Sequence, residues 1–439
     1  MTASVHGGSP KTPHPVVWMI LYAPFGALSG FISVAQTFLA NRHGLTISEG
    51  SLLNGAQLMT QWLKWIWAPA VDVTLTPKRW YRISATGSAL AILTISAIPL
   101  SQKTLVLMLL VIAASGIINS IVGMSTEAMM AAITPRSEIG RVSGWFQAGN
   151  LGGAGVGGGL GLLLLETLPA PWMTGAILGS LFMACCLVLN VLPDVASHKR
   201  LPEPMSSPTP LGTQEASAGN EREALDAMKG VLKDMRDMVR TREGRLAAFL
   251  CFLPVGTGAA QSVLAQERVA AHWGAGKEVV ASVQGFASGG ITMVGCFAGG
   301  WLCRRMAPRT AYAAIGVALG AVACGMALSS TTVTMYVVWN FIYAFGVGMA
   351  FAAFTAVVLD SMGQGSAATK YNSFASLSNF PIWWLGLLLA WVAQKRGTPR
   401  MLYTEAALGV VGVVLFAIAT RLSRRTEVAQ GATPEGRAG

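Results

Sequence analysis

Ser51–Arg82 reads SLLNGAQLMTQWLKWIWAPAVDVTLTPKRWYR: an apolar stretch long enough to cross a bilayer, then a short basic loop. Within it Asn54, Gln57, Gln61 and Lys64 recur at helical spacing. At 100° per residue they fall in an arc of roughly 80°, and Asp72 rejoins that arc. The rest of the cylinder is Leu, Met, Trp, Ile, Ala and Val. A lysine at mid-bilayer costs roughly 2.5–3.5 kcal/mol on insertion scales. The stripe therefore faces protein or enclosed water, as one wall of a solvated cavity within a membrane protein.

Working outward, 53% of the 439 residues are hydrophobic and only 12% are charged, too few to cover a soluble domain of this length. About twelve stretches reach roughly 20 residues or more, the length a helical span needs. They lie at 16–40, 50–73, 81–100, 104–131, 142–165, 172–193, 245–267, 278–302, 310–329, 332–360, 369–393 and 399–421. The alternation of a β-barrel is absent. The expected fold is an all-α polytopic membrane protein with about twelve transmembrane helices. Its parts would be a tail (1–15), a six-helix bundle (16–193), a linker (194–244), a second six-helix bundle (245–422) and a tail (423–439).

Residues 1–15 are polar and Pro-rich, and the apolar run after them is too long for a signal h-region, so it should remain as the first span. The net charge of +11 is orienting charge. With both termini cytoplasmic, most Lys and Arg fall on the cytoplasmic side, as the positive-inside bias requires, and no nucleic-acid partner is implied. The six cysteines lie in or beside spans without metal spacing, and the five histidines lie in tails or loops. No metal, cofactor or catalytic constellation is indicated, so an enzyme is not expected. Gly153-x-Gly155-x-x-Gly158 matches a dinucleotide fingerprint only formally, since no strand precedes it. Close helix approach, at an interface that slides, accounts better for the glycines of 149–161. Gly274-Ala275-Gly276-Lys277 is followed by Glu278, so no Walker motif supplies ATP drive.

Span one carries Ser29, Ser33, Gln36 and Thr37 on one side and is expected to share the cavity. Glu127 comes late in span four at a depth close to that of Lys64, and pairing or a titrating role are both open to it. Asp360 closes span ten in the same manner. Asn372, Ser376, Asn379 and Trp383 are expected on one face of span eleven. In the linker Leu225, Met228, Leu232, Met235 and Val239 form an apolar stripe among charges, which reads as an amphipathic helix on the inner leaflet. Gly299–Arg309 follows span eight much as Asp72–Arg82 follows span two, at an offset of about 230 residues. Lys370 stands at a similar offset from Arg141. Two six-helix pseudo-repeats of parallel orientation are the plan of the major facilitator fold.

Two stretches carry a closer resemblance. Lys64-Trp65-Ile66-Trp67-Ala68-Pro69-Ala70-Val71-Asp72 resembles the second-span signature of the AmpG-like peptide/acetyl-CoA transporter group of the major facilitator superfamily. Ala368-Thr369-Lys370-Tyr371-Asn372 resembles that group's entry to span eleven. Ala68, Val73 and Cys303 depart from the superfamily's loop pattern, which has Gly, Arg and Asp at those places. The resemblance implies a secondary active transporter of the inner membrane, monomeric and proton-coupled. It would import an amphiphilic small molecule such as a muropeptide by alternating access. Acyl-CoA or a siderophore are further family substrates, and a non-transporting sensor or scaffold is the rival reading. Candidate substrate-binding residues are Gln57, Gln61, Lys64, Trp65, Asn119, Gln147, Asn150, Gln261, Asn340, Tyr343 and Asn379, with Trp62, Trp145, Trp339 and Trp384 as further stacking partners. Glu127 and Asp360 are the proton-coupling candidates. Asp72, Lys78, Arg79, Arg82, Arg141, Arg304 and Arg309 are gating candidates.

Overall fold

A computed structural model describes residues 13–43, 45, 47–195, 229–362 and 367–431. Every stretch read above as a span contains helix, and no strand occurs among the described residues. In chain order the helices are α1 (Val16–Gly30), α2 (Thr37–Arg42), α3 (Ile47–Leu63), α4 (Ala68–Val73), α5 (Pro77–Ala97), α6 (Leu105–Ile133), α7 (Ile139–Thr167) and α8 (Pro171–Cys185). After α9, helical over 229–240, come α10 (Arg242–Phe252), α11 (Ala260–Leu264), α12 (Glu267–Ala270), α13 (Lys277–Ser282) and α14 (Ser288–Arg305). The series ends with α15 (Pro308–Leu328), α16 (Val333–Met362), α17 (Ala367–Arg396) and α18 (Thr398–Gly431). Among the described residues, eight of the spans are long and apolar enough to cross a membrane. The other windows, 50–73, 81–100, 245–267 and 278–302, are helical but interrupted or more polar.

The interruptions follow from local sequence. Pro69 has no amide hydrogen and crowds the carbonyl four residues back, so α3 cannot run on unbroken into α4. The chain tightens instead into a 3-10 turn at Lys64–Ile66 before α4 begins. Span seven, expected as one helix over 245–267, is broken. Pro254 follows the end of α10, and Gly256 and Gly258 take φ of 61° and 65°, which a side chain would resist. The helix resumes only at Ala260. Spans one and eight each carry a π-helical segment, Phe31–Gln36 and Val283–Ala287.

The linker helix is described only in its second part. Leu225 and Met228 lie outside the described residues. Leu232 and Val239 are 60% and 48% exposed, whereas Val231 and Met238 are buried. Val231 and Met238 pack on the protein, and Leu232 and Val239 of the stripe stay on the outer face, so both faces of the helix are apolar.

The internal repeat is visible in one bond made twice. Tyr81 in α5 donates its hydroxyl to the Leu21 carbonyl of α1 at 2.8 Å. Tyr312 in α15 donates to the Val255 carbonyl, in the break of span seven, at 2.6 Å. Each tyrosine stands at the same place after a helix-starting proline, in Pro77-x-x-x-Tyr81 and Pro308-x-x-x-Tyr312. A buried hydroxyl needs a partner, and the pair fixes the third helix of each half against the first.

Helix α7 lies between α1 and α14. On one face Gly149, Gly153 and Gly157 sit over the carbonyls of Met19, Ala23 and Ala27 of α1. On the other, Gly144 lies against Cys296 and Gly300, and a Cβ on Gly155 would stand 3.1 Å from the Gly289 Cα. The glycines serve close approach on two sides at once.

Candidate functional site: a polar tier at the base of the bundle

We call the base the end at which α1 begins and α18 finishes. There Glu127 of α6 is fully buried. One carboxylate oxygen accepts from the Tyr22 hydroxyl of α1 at 3.0 Å, and the other from the Asn372 amide of α17 at 2.7 Å. The carboxylate is thus held from both halves of the chain. Lys64 is buried too, and its charge interacts with that of Glu127. A direct ion pair between the two is not among the described contacts; the groups bonded to the carboxylate are Tyr22 and Asn372. Tyr22 is locked in place by stacking on Phe146 and Phe25, with ring centroids 3.8 Å and 4.9 Å away.

A second polar chain crosses beside it. Asn150 donates to Gln147 at 3.0 Å, and Gln147 donates to Thr355 of α16 at 2.8 Å. Thr355 in turn meets the Tyr371 hydroxyl of α17 at 3.0 Å. Lower still, Asp72 accepts from the Ala368 and Thr369 amides at 3.2 Å and 2.8 Å, and from the Thr369 hydroxyl at 2.7 Å. A carboxylate from α4 therefore caps α17, where free amides and the helix dipole favour negative charge. Asp72→Ala should loosen the base. We expect a several-fold faster reaction of Cys303, buried against Gly140 where α14 meets α7 at the base, with a maleimide in a background lacking the other cysteines. An unchanged rate would show that the cap does not hold the base shut.

Above this tier the amides cluster within each half. Gln57 donates to Ser29 at 2.8 Å, joining the polar faces of spans one and two, while the Gln61 amide nitrogen is buried without a partner. Gln261 donates to Ser288 at 3.1 Å, and Gln284 to Asn340 at 2.7 Å. Asn54 and Asn379 are half-buried.

Other candidates stand apart. Asn119 is consumed by packing: it donates to the Phe25 carbonyl at 2.9 Å and accepts from Ser88 at 3.4 Å. Trp65 is 51% exposed beside exposed Ile66, outside the buried seam. Trp383, expected on the Asn372 face, is exposed, beyond Pro381, whose missing amide interrupts the ladder of α17. The Trp62 side chain lies outside the described residues. Tyr343 is bonded to Glu405 of α18. Asp360 is half-buried in the last turn of α16, next to Ser361, which accepts from Arg309 at 3.4 Å.

Among the gating candidates, Lys78 donates to the Leu192 carbonyl at 2.6 Å and pairs with Asp194 at 2.8 Å. The hydrogen bond and charge of Lys78 hold the Asp194 carboxyl below its usual range. Arg141 lies 3.6 Å from Glu138 and 3.0 Å from the His14 ring. With Trp18 and Thr134 these residues line a cavity of about 260 Å³. Arg79, Arg82 and Arg304 are exposed. Tyr22, Thr355, Tyr371, Asn372 and Glu405 are the members that sequence reasoning did not place in a site. Glu405, an acid within an apolar window, and Asn372, on a polar helix face, carried signals of their own.

The family model described as Major Facilitator Superfamily matches residues 18–382. No functionally described protein matches the sequence closely enough to be called a relative. Among solved structures, the fucose:proton symporter FucP of E. coli, in a single-site variant form, is similar at 17% identity and a TM-score of 0.63, over 92% of this chain and 97% of that one. The proton:xylose symporter XylE, bound to 6-bromo-6-deoxy-D-glucose, is similar at 14% identity and a TM-score of 0.58, over 91% and 94%. A bacterial homologue of the iron transporter ferroportin, in an outward-facing state, gives 13% identity and a TM-score of 0.63, over 92% and 99%. At these identities the structures establish the fold. With a family model covering most of its length and twelve helical windows arranged as described, the chain belongs to the major facilitator superfamily of transporters.

Proposed function

We propose that the protein is a proton-coupled secondary transporter in which Glu127 is the coupling carboxylate. The observation that carries this reading is the position of Glu127: buried, beside Lys64, and bonded at once to Tyr22 of the first half and Asn372 of the second. As a carboxylate it accepts both bonds and opposes the lysine charge. Once protonated, one oxygen becomes a donor and no longer accepts freely from Tyr22 or Asn372, so the bond across the halves weakens. Proton uptake from the far side would then release the base, and departure of the proton to the other side would reseal it. That sequence is what alternating access with obligatory coupling requires.

The basic residues Lys78, Arg79, Arg82, Arg141, Arg304 and Arg309 gather at the base, which supports placing the base and both termini in the cytoplasm of an inner-membrane protein. On that reading the described conformation is closed to the cytoplasm. The amides Gln57, Gln61, Gln261, Gln284, Asn340 and Asn379 suit a solute rich in hydroxyl and amide groups, and Lys64 suits an anionic substituent. A muropeptide, the substrate that the AmpG-like resemblance implies, has this chemistry. The proton-linked sugar carriers of the same fold set a simpler sugar beside it. Division into bundles at 16–193 and 245–422, and a monomeric state, belong to the same proposal.

The test is uptake into energised vesicles from a panel of muropeptides, simple sugars, acyl-CoAs and siderophores, with and without a protonophore. One of these should enter with substrate-dependent alkalinisation outside, and Glu127→Gln should abolish the alkalinisation. Alkalinisation unchanged in Glu127→Gln would exclude Glu127 as coupler. No uptake of any solute by wild type in the same vesicles would favour a sensor.

A further inference from the structure

A second carboxyl lies in the other half of the bundle, far from the base. Glu405 is in the second turn of α18 and is only 9% exposed. One oxygen accepts from the Tyr343 hydroxyl of α16 and, at 3.3 Å, from the amide of Ala260, the first residue of α11. The other oxygen is buried and has no partner.

No cation is set against this group among the described residues. Among the described residues Tyr343 and the Ala260 amide are the groups that act on it. Helix α11 carries only Ala260, Gln261, Ser262, Val263 and Leu264. On α15, Gly320 lies against Ala406 and the titratable group one turn further on is Cys324, while Tyr312 lies two turns below with its hydroxyl committed to Val255. The packed middle of α17 offers Trp384, Leu385 and Leu389. Arg268, Lys395, Arg396 and Arg400 are exposed at helix ends.

An ionised carboxylate with one dry, unpartnered oxygen and no counter-ion is costly. A metal ion is a poor remedy, since it needs several oxygen ligands and both groups facing the carboxyl are donors. A proton needs a single oxygen. We propose that Glu405 is a proton-binding site of the carrier, occupied in this conformation and emptied when the break in span seven rearranges. The proton sits on the unpartnered oxygen, and the carbonyl oxygen takes both hydrogen bonds. Span seven is tied to it directly, because the Ala260 amide begins the helix that resumes after Pro254, Gly256 and Gly258. When α11 moves from α18, water reaches the unpartnered oxygen, the O–H bond breaks and the proton passes to that water. This site is independent of whether Glu127 couples transport.

Infrared spectroscopy of the purified full-length protein tests it without any substrate. Glu405→Gln, which is isosteric with the protonated acid, should remove the carbonyl band of a protonated carboxyl that Glu127→Gln leaves in place. Tyr343→Phe should move that band to higher frequency, since its carbonyl oxygen then accepts one bond in place of two. Hydrogen–deuterium exchange gives the link to span seven: as pH rises, the amides of Ala260–Leu264 should exchange faster in wild type than in Glu405→Gln at the same pH. Retention of every carboxyl band in Glu405→Gln, or a band unmoved by Tyr343→Phe, would overturn the protonated site. Equal exchange in the two proteins at every pH would overturn the link to span seven.

Discussion

Lys64→Ala should abolish proton-coupled uptake and lower stability by about 3 kcal/mol, the scale on which a buried charge suffers when its counter-charge is removed. The reason lies with the partner. Glu127 is fully buried and Lys64 is the one cation whose charge acts on it among the described residues. Without the lysine, Tyr22 and Asn372 still donate to the carboxylate, but two neutral donors do not replace a positive charge in a medium of low dielectric constant. The double variant Lys64→Ala/Glu127→Gln removes the stranded charge and should regain most of the lost thermal stability in detergent while remaining unable to couple. That recovery separates an electrostatic role from a packing role, because a packing defect at Lys64 would persist in the double variant. Stability equal to wild type in Lys64→Ala alone would mean that the two charges do not depend on each other.

The membrane class and the polar seam of span two were legible because ionisable groups inside long apolar windows are rare and must be enclosed. Gln57 and Lys64 are buried, and Gln57 does meet Ser29 of span one. What could not be read were contacts set by docking of distant helices. Asn372 is recognisable as a polar residue on a helix face, but nothing local announces that it meets Glu127 across 245 positions of chain. The same holds for Gln147 and Thr355. Asn119 has the same character as Gln57 in the sequence, yet it satisfies a backbone carbonyl in the packing between α1 and α6, because periodicity identifies a face and not its neighbour. Breaks in helices were legible only in part. Pro69 announces the turn after Lys64, whereas Pro254 with Gly256 and Gly258 resembles the glycine-rich helices elsewhere in the chain until the positive φ angles are seen. Glu405 was visible as an acid in the last window, and its importance appears only with Tyr343 and Ala260 around it.

Gly157→Val should prevent accumulation of folded protein in the membrane. A Cβ built on Gly157 overlaps the Ala27 carbonyl oxygen and lies 2.6 Å from the Ala27 Cα. Those are backbone atoms of a packed helix, so no side-chain rotation relieves the clash; α1 and α7 would have to separate along their length. Separation also pulls Tyr22 from its stack on Phe146 and so unseats the donor to Glu127. Gly55→Ala provides the contrast, because nothing lies within 4 Å of a Cβ at that position on α3. That variant should accumulate and melt like wild type, since alanine favours a helix more than glycine does. The two variants, compared by membrane abundance and by thermal stability after extraction, distinguish close approach from mere glycine content. If Gly157→Val accumulated and melted as wild type does, the α1–α7 contact would not be the rigid seam that carries Tyr22, and the coupling geometry built on it would fail as well.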